Sequence, residues 1–329
     1  MHRLHVSCII RKQMKTAAII GSAGYTGQET LDRVLGHPGL SLLAAGSNTF
    51  AGQPGSVLDP RLDDSFAFVT NDEAAASGAD VIFLCTGNEA AAAFQPPAGA
   101  VVIDLSGVHR LLDQTLAQRY YKLTPGAWSY GLPEVSPATG PLIANPGCHA
   151  TTAALALAPA RGLTAKAIVD SKTGMTGAGR ELKPTSHAGF VLENLSAYAV
   201  GSHRHAPEIE QTIGFPVAFV PHLLPVRRGV ITTCYFEADA DLRPLYESFY
   251  AGSKVVRLLP EGGIPELSRV QNTDAAEIGL FTDDSTGMKI VICATDNLGK
   301  GAAGQAVQNA NLALGLDETA GLRLKGVTV

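Results

Sequence analysis

Residues 16–27 read TAAIIGSAGYTG, an apolar run that passes directly into three glycines spaced three apart. A short apolar run bounded by glycine predicts a parallel strand buried on both faces. The residues that follow, 28–35, have a helical pattern. A strand, a glycine turn and a helix predict a dinucleotide-binding fold, because glycines let a pyrophosphate approach the helix N-terminus. The alternative is a tight turn without a ligand, since the G-x-x-G-x-x-G spacing alone is weak evidence.

The end of the second predicted strand, residues 40–45, bears on the choice of cofactor. NAD-binding folds commonly place Asp or Glu at this point to bind the ribose 2′-hydroxyl. This chain has Gly46-Ser47-Asn48-Thr49 instead, with no carboxylate to repel a 2′-phosphate. The sequence therefore favours NADP(H) over NAD, although no arginine stands here to pair with the phosphate.

The composition is typical of a compact α/β enzyme: of 329 residues, 46% are hydrophobic, 17% are charged and 35 are glycine. A formal net charge of −5 without a basic cluster argues against nucleic-acid and membrane partners. Five scattered cysteines without a CxxC pair predict neither a disulfide framework nor a metal site. We therefore expect a cytoplasmic protein. The apolar patch at residues 6–10 is too short to span a membrane. Residues 1–13, which contain it, are interpreted as a tail.

The order of predicted elements indicates two units. Further buried strands at 80–85, 100–104 and 142–144 continue the first sheet, and a late helical pattern after residue 300 is expected to return to it. The predicted class is α/β, with a Rossmann-type NADP-binding domain formed by residues 14–148 plus 296–329. Residues 149–295 are predicted to form an α+β substrate and oligomerisation domain with a mainly antiparallel sheet.

A cysteine stands where the last strand of the first unit meets the next helix, in Asn145-Pro146-Gly147-Cys148. Gly and Pro before an Ala/Leu run predict that the helix starts near Cys148. The free N–H groups and dipole of a helix N-terminus favour a thiolate, so Cys148 is a candidate nucleophile for carbonyl chemistry. The alternative is a small buried hydrophobic residue, the usual environment of a free cysteine.

A cysteine beside a dinucleotide fold suggests an acyl-enzyme redox reaction, which needs a group that exchanges a proton near neutral pH. His203 and His205 are candidates, and either one alone could be a structural histidine. His149 is expected to point elsewhere. Arg110, Arg180 and Arg204 lie in predicted loops and are candidates for binding a phosphate, against the alternative of solvated surface charges.

Eight motifs in order resemble the N-acetyl-γ-glutamyl-phosphate reductase family, which is similar in plan to aspartate-semialdehyde dehydrogenase. The resemblance covers nearly all of the chain after Met14. The motifs are residues 21–27 (GSAGYTG), 104–111 (DLSGVHRL), 130–134 (YGLPE), 145–148 (NPGC), 176–180 (TGAGR), 203–208 (HRHAPE), 221–229 (PHLLPVRRG) and 301–309 (GAAGQAVQN).

The resemblance implies roles for particular residues. Cys148 corresponds to the nucleophile and His203 to the acid/base, with His205 as the other possibility. Substrate-binding or supporting roles fall to Arg110, Asn145, Arg180, His205, Glu208 and Gln211. Cofactor contacts fall to Gly21, Ser22, Ala23, Gly24, Tyr25, Thr26, Gly27, Ser47, Gly177, Ala178, Gly179 and Asn297. No metal is implied. The partners implied are an acyl-phosphate substrate, phosphate and further copies of the chain, as a homodimer or homotetramer.

Some positions depart from the family pattern. An aromatic residue usually follows the nucleophile, whereas this chain has His149. An arginine usually follows the second strand, whereas Asn48 stands in that neighbourhood here. The expected activity is NADPH-dependent reduction of N-acetyl-γ-glutamyl phosphate. The alternatives are the same chemistry on N-acetyl-aminoadipyl phosphate or another acyl phosphate, or a non-catalytic NADP-binding protein.

Overall fold

The computed structural model describes residues 14–62, 65–180 and 187–326, so the predicted tail at 1–13 lies outside the described residues. Its first sheet has six strands in the order β2-β1-β3-β4-β6-β5, and every pairing is parallel. The strands are β1 (Lys15–Ile20), β2 (Leu40–Gly46), β3 (Val81–Leu84), β4 (Val101–Asp104), β5 (Ser129–Tyr130) and β6 (Leu142–Ala144). This is the Rossmann-like arrangement that the strand, glycine turn and helix predict.

Helices cover this sheet on both faces, which is why its central strands are mostly apolar. All four residues of β3 are buried, as the continuous apolar run predicts. The helices before the second sheet are α1 (Tyr25–Leu35), α2 (Asn71–Ala75), α3 (Asn88–Ala93), α4 (Gln114–Tyr121) and α5 (Cys148–Leu157).

The second sheet has seven strands in the order β11-β12-β13-β10-β7-β9-β8. They are β7 (Ala167–Thr173), β8 (Ser196–Ala197), β9 (Val217–Leu223), β10 (Val230–Phe236), β11 (Val256–Leu258), β12 (Ala276–Thr282) and β13 (Lys289–Thr295). The remaining helices are α6 (Ala188–Val191), α7 (His205–Ile213), α8 (Leu242–Phe249), α9 (Leu267–Val270) and α10 (Gly304–Ala313).

The prediction of a mainly antiparallel second sheet is wrong, because this sheet is mixed. β7 pairs with β9 in parallel, and β11 pairs with β12 in parallel. Each of these pairs is joined through a helix, α7 in the first and α9 in the second. A connection of that kind returns the chain to the same end of the sheet, so the second strand runs parallel to the first.

The two faces of the second sheet differ. One face packs its alternate side chains, such as Val169 and Cys234, against α5, α7 and α8 in a buried core. The other face carries a row of partly exposed apolar side chains on β7, β10 and β13. They are Ile168, Ile231, Tyr235, Ile290 and Ile292.

The end of the chain returns to the first sheet, as the spacing of its apolar residues predicts. A π-helical turn, Gly299–Ala303, leads into α10, whose Ala306, Val307 and Ala310 share a buried cluster with Ile19 of β1. Within the described residues, no helix combines the length and apolar character needed to cross a lipid bilayer.

Five charged side chains connect α1 to loops of the second sheet. Arg33 of α1 is fully buried and pairs with Asp274 at 2.6 Å and with Glu29 at 2.9 Å. Glu29 also pairs with Arg228 at 2.6 Å, and Arg228 pairs with Asp296 at 2.6 Å. Burial alone raises the pKa of the Glu29 carboxyl, but hydrogen bonding and charge from Arg228 and Arg33 outweigh it and lower that pKa to about 2.

Candidate active site

Cys148 is the first residue of α5, where the sequence predicts it. β6 ends at Ala144, and Asn145-Pro146-Gly147 turns the chain into the helix. The Cys148 side chain is partly exposed and lines a cavity. The backbone N–H of His149, in the first turn of the helix, lowers the pKa of the Cys148 thiol.

The prediction that this position holds a thiolate is wrong for the free protein. Burial raises the pKa of the Cys148 thiol to about 11, and this outweighs the backbone N–H of His149 and the charge of Arg110, which both lower it. The sequence argument included the helix terminus but not the loss of solvent, which disfavours the charged form. Cys148 is therefore a neutral thiol near pH 7 and needs a base to react.

Glu208 holds the turn that carries the cysteine. Its Oε1 accepts hydrogen bonds from the backbone N–H of Gly147 at 2.7 Å and from the Tyr130 hydroxyl at 2.9 Å. Its Oε2 lies 3.4 Å from Nη1 of Arg110. The Glu208 side chain is fully buried, so this carboxylate supports the backbone behind Cys148.

Several residues predicted to bind substrate direct their polar atoms into the protein instead. Arg110 donates from Nε to the Asn145 carbonyl at 2.8 Å and from Nη2 to the Leu105 carbonyl at 3.0 Å. Asn145 donates to the Ala302 carbonyl and accepts from Asn309, each at 3.1 Å. Gln211 accepts from the Leu112 backbone N–H at 2.8 Å and donates to the Arg110 carbonyl at 3.1 Å. Their hydrogen bonds fix the loops around Cys148.

His203 and His205 lie at the start of α7 and reach the same cavity as Cys148. Nδ1 of His203 accepts a hydrogen bond from the backbone N–H of His205 at 3.0 Å. A neutral His203 therefore carries its proton on Nε2. Burial, followed by the charge of Arg204, lowers the pKa of His203 to about 4, so it is neutral and able to accept a proton at pH 7.

His205 is more enclosed than His203. It is 6% exposed, and burial lowers its pKa well below the ordinary value. A Cβ atom added to Gly147 would lie 2.4 Å from Nε2 of His205, so this ring packs directly against the turn before Cys148. The structure thus brings both candidate histidines to the cysteine.

The prediction that His149 points elsewhere is wrong. The His149 ring lies 5.7 Å from the His203 ring and 5.8 Å from the His205 ring, measured between centroids. Its Nδ1 is 2.6 Å from Oγ of Ser171, and its Nε2 is 2.9 Å from the hydroxyl of Tyr198. Sequence reasoning missed Tyr198 and Ser171 altogether. The one available signal was the presence of histidine in a position usually aromatic.

These groups surround a cavity of about 600 Å³. Polar and apolar side chains both line it, among them Cys148, Phe190, Tyr198, His203, Arg204 and Leu223. Within residues 14–62, 65–180 and 187–326, no group of three or more His, Cys, Asp or Glu side chains could hold a metal ion.

The glycine turn before α1 suits a phosphate. Gly21 has φ of +81°, and a Cβ atom at Gly27 would lie 2.3 Å from the Gly21 carbonyl oxygen, so both positions need glycine. α1 begins at Tyr25 with no side-chain cap and no acidic residue in its first turn. Its first N–H groups therefore remain available to an anion such as the pyrophosphate of a dinucleotide. The N–H and Oγ of Ser22 both donate to the Gly46 carbonyl, each at 2.8 Å, which fixes this turn to the end of β2.

Other predicted cofactor residues surround that turn. Arg180 donates from Nη1 to the Ala23 carbonyl at 2.7 Å, so the exposed segment Gly177, Ala178 and Gly179 lies beside the glycine turn. Ser47 is buried at the end of β2. The amide of Asn297 is occupied by the protein: Oδ1 accepts from the Gly229 N–H at 2.7 Å, and Nδ2 donates to Oγ1 of Thr176 at 2.9 Å.

Two family models match this chain in succession. Residues 16–140 match the semialdehyde dehydrogenase NAD binding domain, and residues 148–297 match the semialdehyde dehydrogenase dimerisation domain. A solved structure of aspartate semialdehyde dehydrogenase II from Vibrio cholerae, complexed with ASA, has the same fold, with a TM-score of 0.71 at 20% identity. The alignment covers 92% of this chain and 98% of that structure. The fold and the site thus define a protein of the semialdehyde dehydrogenase class.

Curated relatives narrow this class. An N-acetyl-gamma-glutamyl-phosphate reductase of Paenarthrobacter aurescens is 40% identical, over 95% of this chain and 98% of the relative. A reductase of the same name from Methanobrevibacter smithii is 36% identical, over 95% of this chain and 99% of the relative. The chain belongs to the N-acetyl-gamma-glutamyl-phosphate reductase family.

Proposed function

We propose that this protein catalyses the NADPH-dependent reduction of N-acetyl-γ-glutamyl phosphate to N-acetylglutamate semialdehyde and phosphate, a step of arginine biosynthesis. The observation that carries the proposal is that Cys148, at the start of α5, and His203, before α7, line one cavity of about 600 Å³. A thiol and a neutral imidazole in one cavity are the groups that acyl transfer to sulfur requires. The family of the chain supplies the substrate and the direction of the reaction.

In the first half-reaction the Cys148 sulfur attacks the acyl carbon and forms a C–S bond, while the C–O bond to phosphate breaks. His203 accepts the thiol proton at Nδ1, the unprotonated nitrogen of the neutral ring, once this nitrogen releases the backbone N–H of His205. Phosphate leaves with the bonding electrons, and the product on the protein is a Cys148 thioester. Arg204, which lines the cavity, supplies positive charge for the acyl phosphate.

The glycine turn at residues 21–27, Ser47 and residues 177–180 would hold the dinucleotide. When bound, NADPH supplies the hydride that reduces the thioester carbonyl to a thiohemiacetal on Cys148. His203 stabilises the thiohemiacetal oxygen by donating from Nε2. As the C–S bond breaks, the aldehyde leaves and the Cys148 sulfur takes back a proton through His203, which restores the thiol and the neutral imidazole.

The assay that tests this proposal runs in the reverse direction, with NADP, phosphate and N-acetylglutamate semialdehyde. NADPH formation that requires both phosphate and this aldehyde is the expected result. Aspartate semialdehyde, the N-acetyl-aminoadipate homologue and NAD serve as parallel arms. Turnover only on another aldehyde would keep the chemistry and reject the proposed substrate. No turnover on any of them would reject the enzyme and favour a non-catalytic NADP-binding protein.

We also propose that two copies of the chain pair through the exposed apolar face of the second sheet. Ile231, Tyr235 and Ile292 lie on neighbouring strands of this face, and an apolar patch of this kind is typical of a subunit interface. The family model named a dimerisation domain covers the same strands. Light scattering should give a dimer, or a tetramer built from dimers, and Ile231→Glu should give a monomer.

The division into residues 14–148 plus 296–329 and residues 149–295 is likewise proposed. It is supported by the packing of α10 on α1 and β4. A site that depends on a free thiol requires a reducing compartment, and this supports a cytoplasmic location.

A further inference from the structure

Four hydrogen-bonded side chains form a row from the second sheet to the cavity that contains Cys148. Oγ1 of Thr232 lies 2.6 Å from Oγ of Ser171, and Oγ of Ser171 lies 2.6 Å from Nδ1 of His149. Nε2 of His149 lies 2.9 Å from the hydroxyl of Tyr198. The first three side chains are at most 1% exposed, whereas Tyr198 lines the cavity.

The direction in which this row donates depends on the charge of His149. Burial lowers the pKa of His149 to about 3, so the ring is neutral and has one donor and one acceptor nitrogen. The row can then run in two directions. In the first direction Tyr198 donates to His149, His149 to Ser171 and Ser171 to Thr232, so the Thr232 hydrogen is left over. In the second direction Thr232 donates to Ser171, Ser171 to His149 and His149 to Tyr198, so the Tyr198 hydrogen is left over.

The buried end of the row decides between these directions. In the described part of the chain, Ser171 Oγ is the one hydrogen-bond partner of the Thr232 hydroxyl, and Thr232 is fully buried. If Tyr198 donated to His149, the Thr232 hydrogen would be left in the core without an acceptor, which is unfavourable. In the other direction every buried hydrogen has an acceptor. His149 then donates from Nε2 to the Tyr198 oxygen, and the Tyr198 hydrogen is free to point into the cavity.

We propose that Tyr198 donates a hydrogen bond to the N-acyl carbonyl oxygen of the substrate, and that His149 is the positioning residue that directs it. The apolar side chains of Phe190, Ala197 and Leu223 line the same cavity and suit a neutral amide with a methyl group rather than a charged end of the substrate. Burial raises the pKa of the Tyr198 phenol, so it remains a donor throughout the working pH range. This inference rests on the proposed function for the identity of the substrate.

The hydrogen-bond direction can be tested without any turnover. Nitrogen-15 NMR of histidine-labelled protein distinguishes a ring protonated at Nε2 from one protonated at Nδ1. The His149 signal is identified by its loss in His149→Gln. The Nε2–H form at pH 7 is expected, and the Nδ1–H form would overturn the inference.

The role in substrate binding is tested by steady-state kinetics in the reverse direction. Tyr198→Phe removes one neutral hydrogen bond that is made equally to the bound substrate and to the transition state. It should therefore raise KM for N-acetylglutamate semialdehyde roughly fivefold and change kcat less than about twofold. An unchanged KM, or a loss confined to kcat, would reject Tyr198 as a binding donor.

Two matched variants distinguish the contribution of Nε2 of His149 from that of Nδ1. The side-chain nitrogen of Gln can replace Nε2 and donate to Tyr198, whereas that of Asn can replace only Nδ1. His149→Gln should therefore keep KM within about twofold of wild type, and His149→Asn should raise it as Tyr198→Phe does. Adding Tyr198→Phe to His149→Asn should raise KM no further, because both changes remove one interaction.

Equal KM values in the Gln and Asn variants would contradict the positioning role of His149. Thermal unfolding and cofactor binding identify any variant that has failed to fold. If wild type shows no turnover on this aldehyde, the proposed function fails, while the NMR result still decides the direction of the row.

Discussion

Glu208 accepts a 2.7 Å hydrogen bond at Oε1 from the backbone N–H of Gly147, the residue directly before Cys148. This bond joins the start of α7, which carries the histidines, to the turn that carries the nucleophile. The positions of the thiol and of its proton acceptor are therefore set by the same carboxylate.

Removing this carboxylate should destabilise the protein strongly. In Glu208→Ala the buried Arg110 loses its counter-charge and the Gly147 N–H loses its acceptor, which should cost about 3–5 kcal/mol. Urea unfolding monitored by fluorescence measures this loss. Glu247→Ala is a matched control, because Glu247 is an exposed glutamate in a weak ion pair, 3.9 Å from Arg243. This variant should change stability by less than about 0.5 kcal/mol. Similar losses in both variants would contradict the role of Glu208.

Replacing the nucleophile should separate chemistry from cofactor binding. Cys148→Ser should lower kcat by about a thousandfold or more, since a serine hydroxyl at this position is a much weaker nucleophile, and leave the Kd for NADPH unchanged. Stopped-flow turnover and fluorescence titration provide the two values. Cys234→Ala, in the core of the second sheet, should keep kcat within about twofold because it lies outside the cavity. Wild-type turnover by the serine variant would rule out a thioester.

The glycine turn should not tolerate a methyl group at its third glycine. A Cβ atom in Gly27→Ala would lie 2.3 Å from the Gly21 carbonyl oxygen and 2.7 Å from Cα of Ser22, so the backbone must move. We expect a loss of roughly 1–3 kcal/mol in NADPH binding, measured by calorimetry. Gly36→Ala, at the other end of α1, places its Cβ 3.6 Å from the nearest atom and should bind NADPH as wild type does. Equal affinities for the two variants would show that the turn does not hold the cofactor.

Stability should fall in acid partly because of the buried histidines. The folded-state pKa of His149 is about 3 and that of His203 about 4, below the unfolded value of about 6.5. Between these values the unfolded chain binds more protons, so the contribution is complete above about pH 6.5 and is lost as the pH falls. Each histidine can contribute up to about 1.4 kcal/mol per pH unit. Urea unfolding from pH 7 to 4.5 should show a shallower loss in His149→Gln than in wild type, and parallel curves would refute this.

Local patterns in the sequence predicted the local structure well. The apolar run at 16–20, the following glycines and the helix appear as β1, the turn and α1, because neighbouring residues determine strand and helix propensity. The same holds for Cys148 at the first position of α5, since Gly and Pro before an Ala-rich run define a helix start.

Features that depend on distant residues were not predictable in this way. The parallel pairing of β7 with β9 depends on how the chain crosses over through α7. Arg110 lies 98 positions from Glu208 and seemed free to bind phosphate, but its donors are used by buried acceptors. The protonation state of Cys148 follows from burial by the assembled fold, which no local motif encodes.

The five paired charges that join α1 to the second sheet also determine how the chain can be divided. If residues 14–147 were produced alone, Arg33 would lose Asp274 and Glu29 would lose Arg228, and only the pair between Arg33 and Glu29 would remain on α1. The same cut would remove Ala306, Val307 and Ala310 from the apolar cluster around β1 and α1, so the separate fragments should be poorly soluble and should associate when mixed. The arrangement makes the protein a candidate for reconstitution from two pieces, with the paired charges of α1 as the contacts that bring them together.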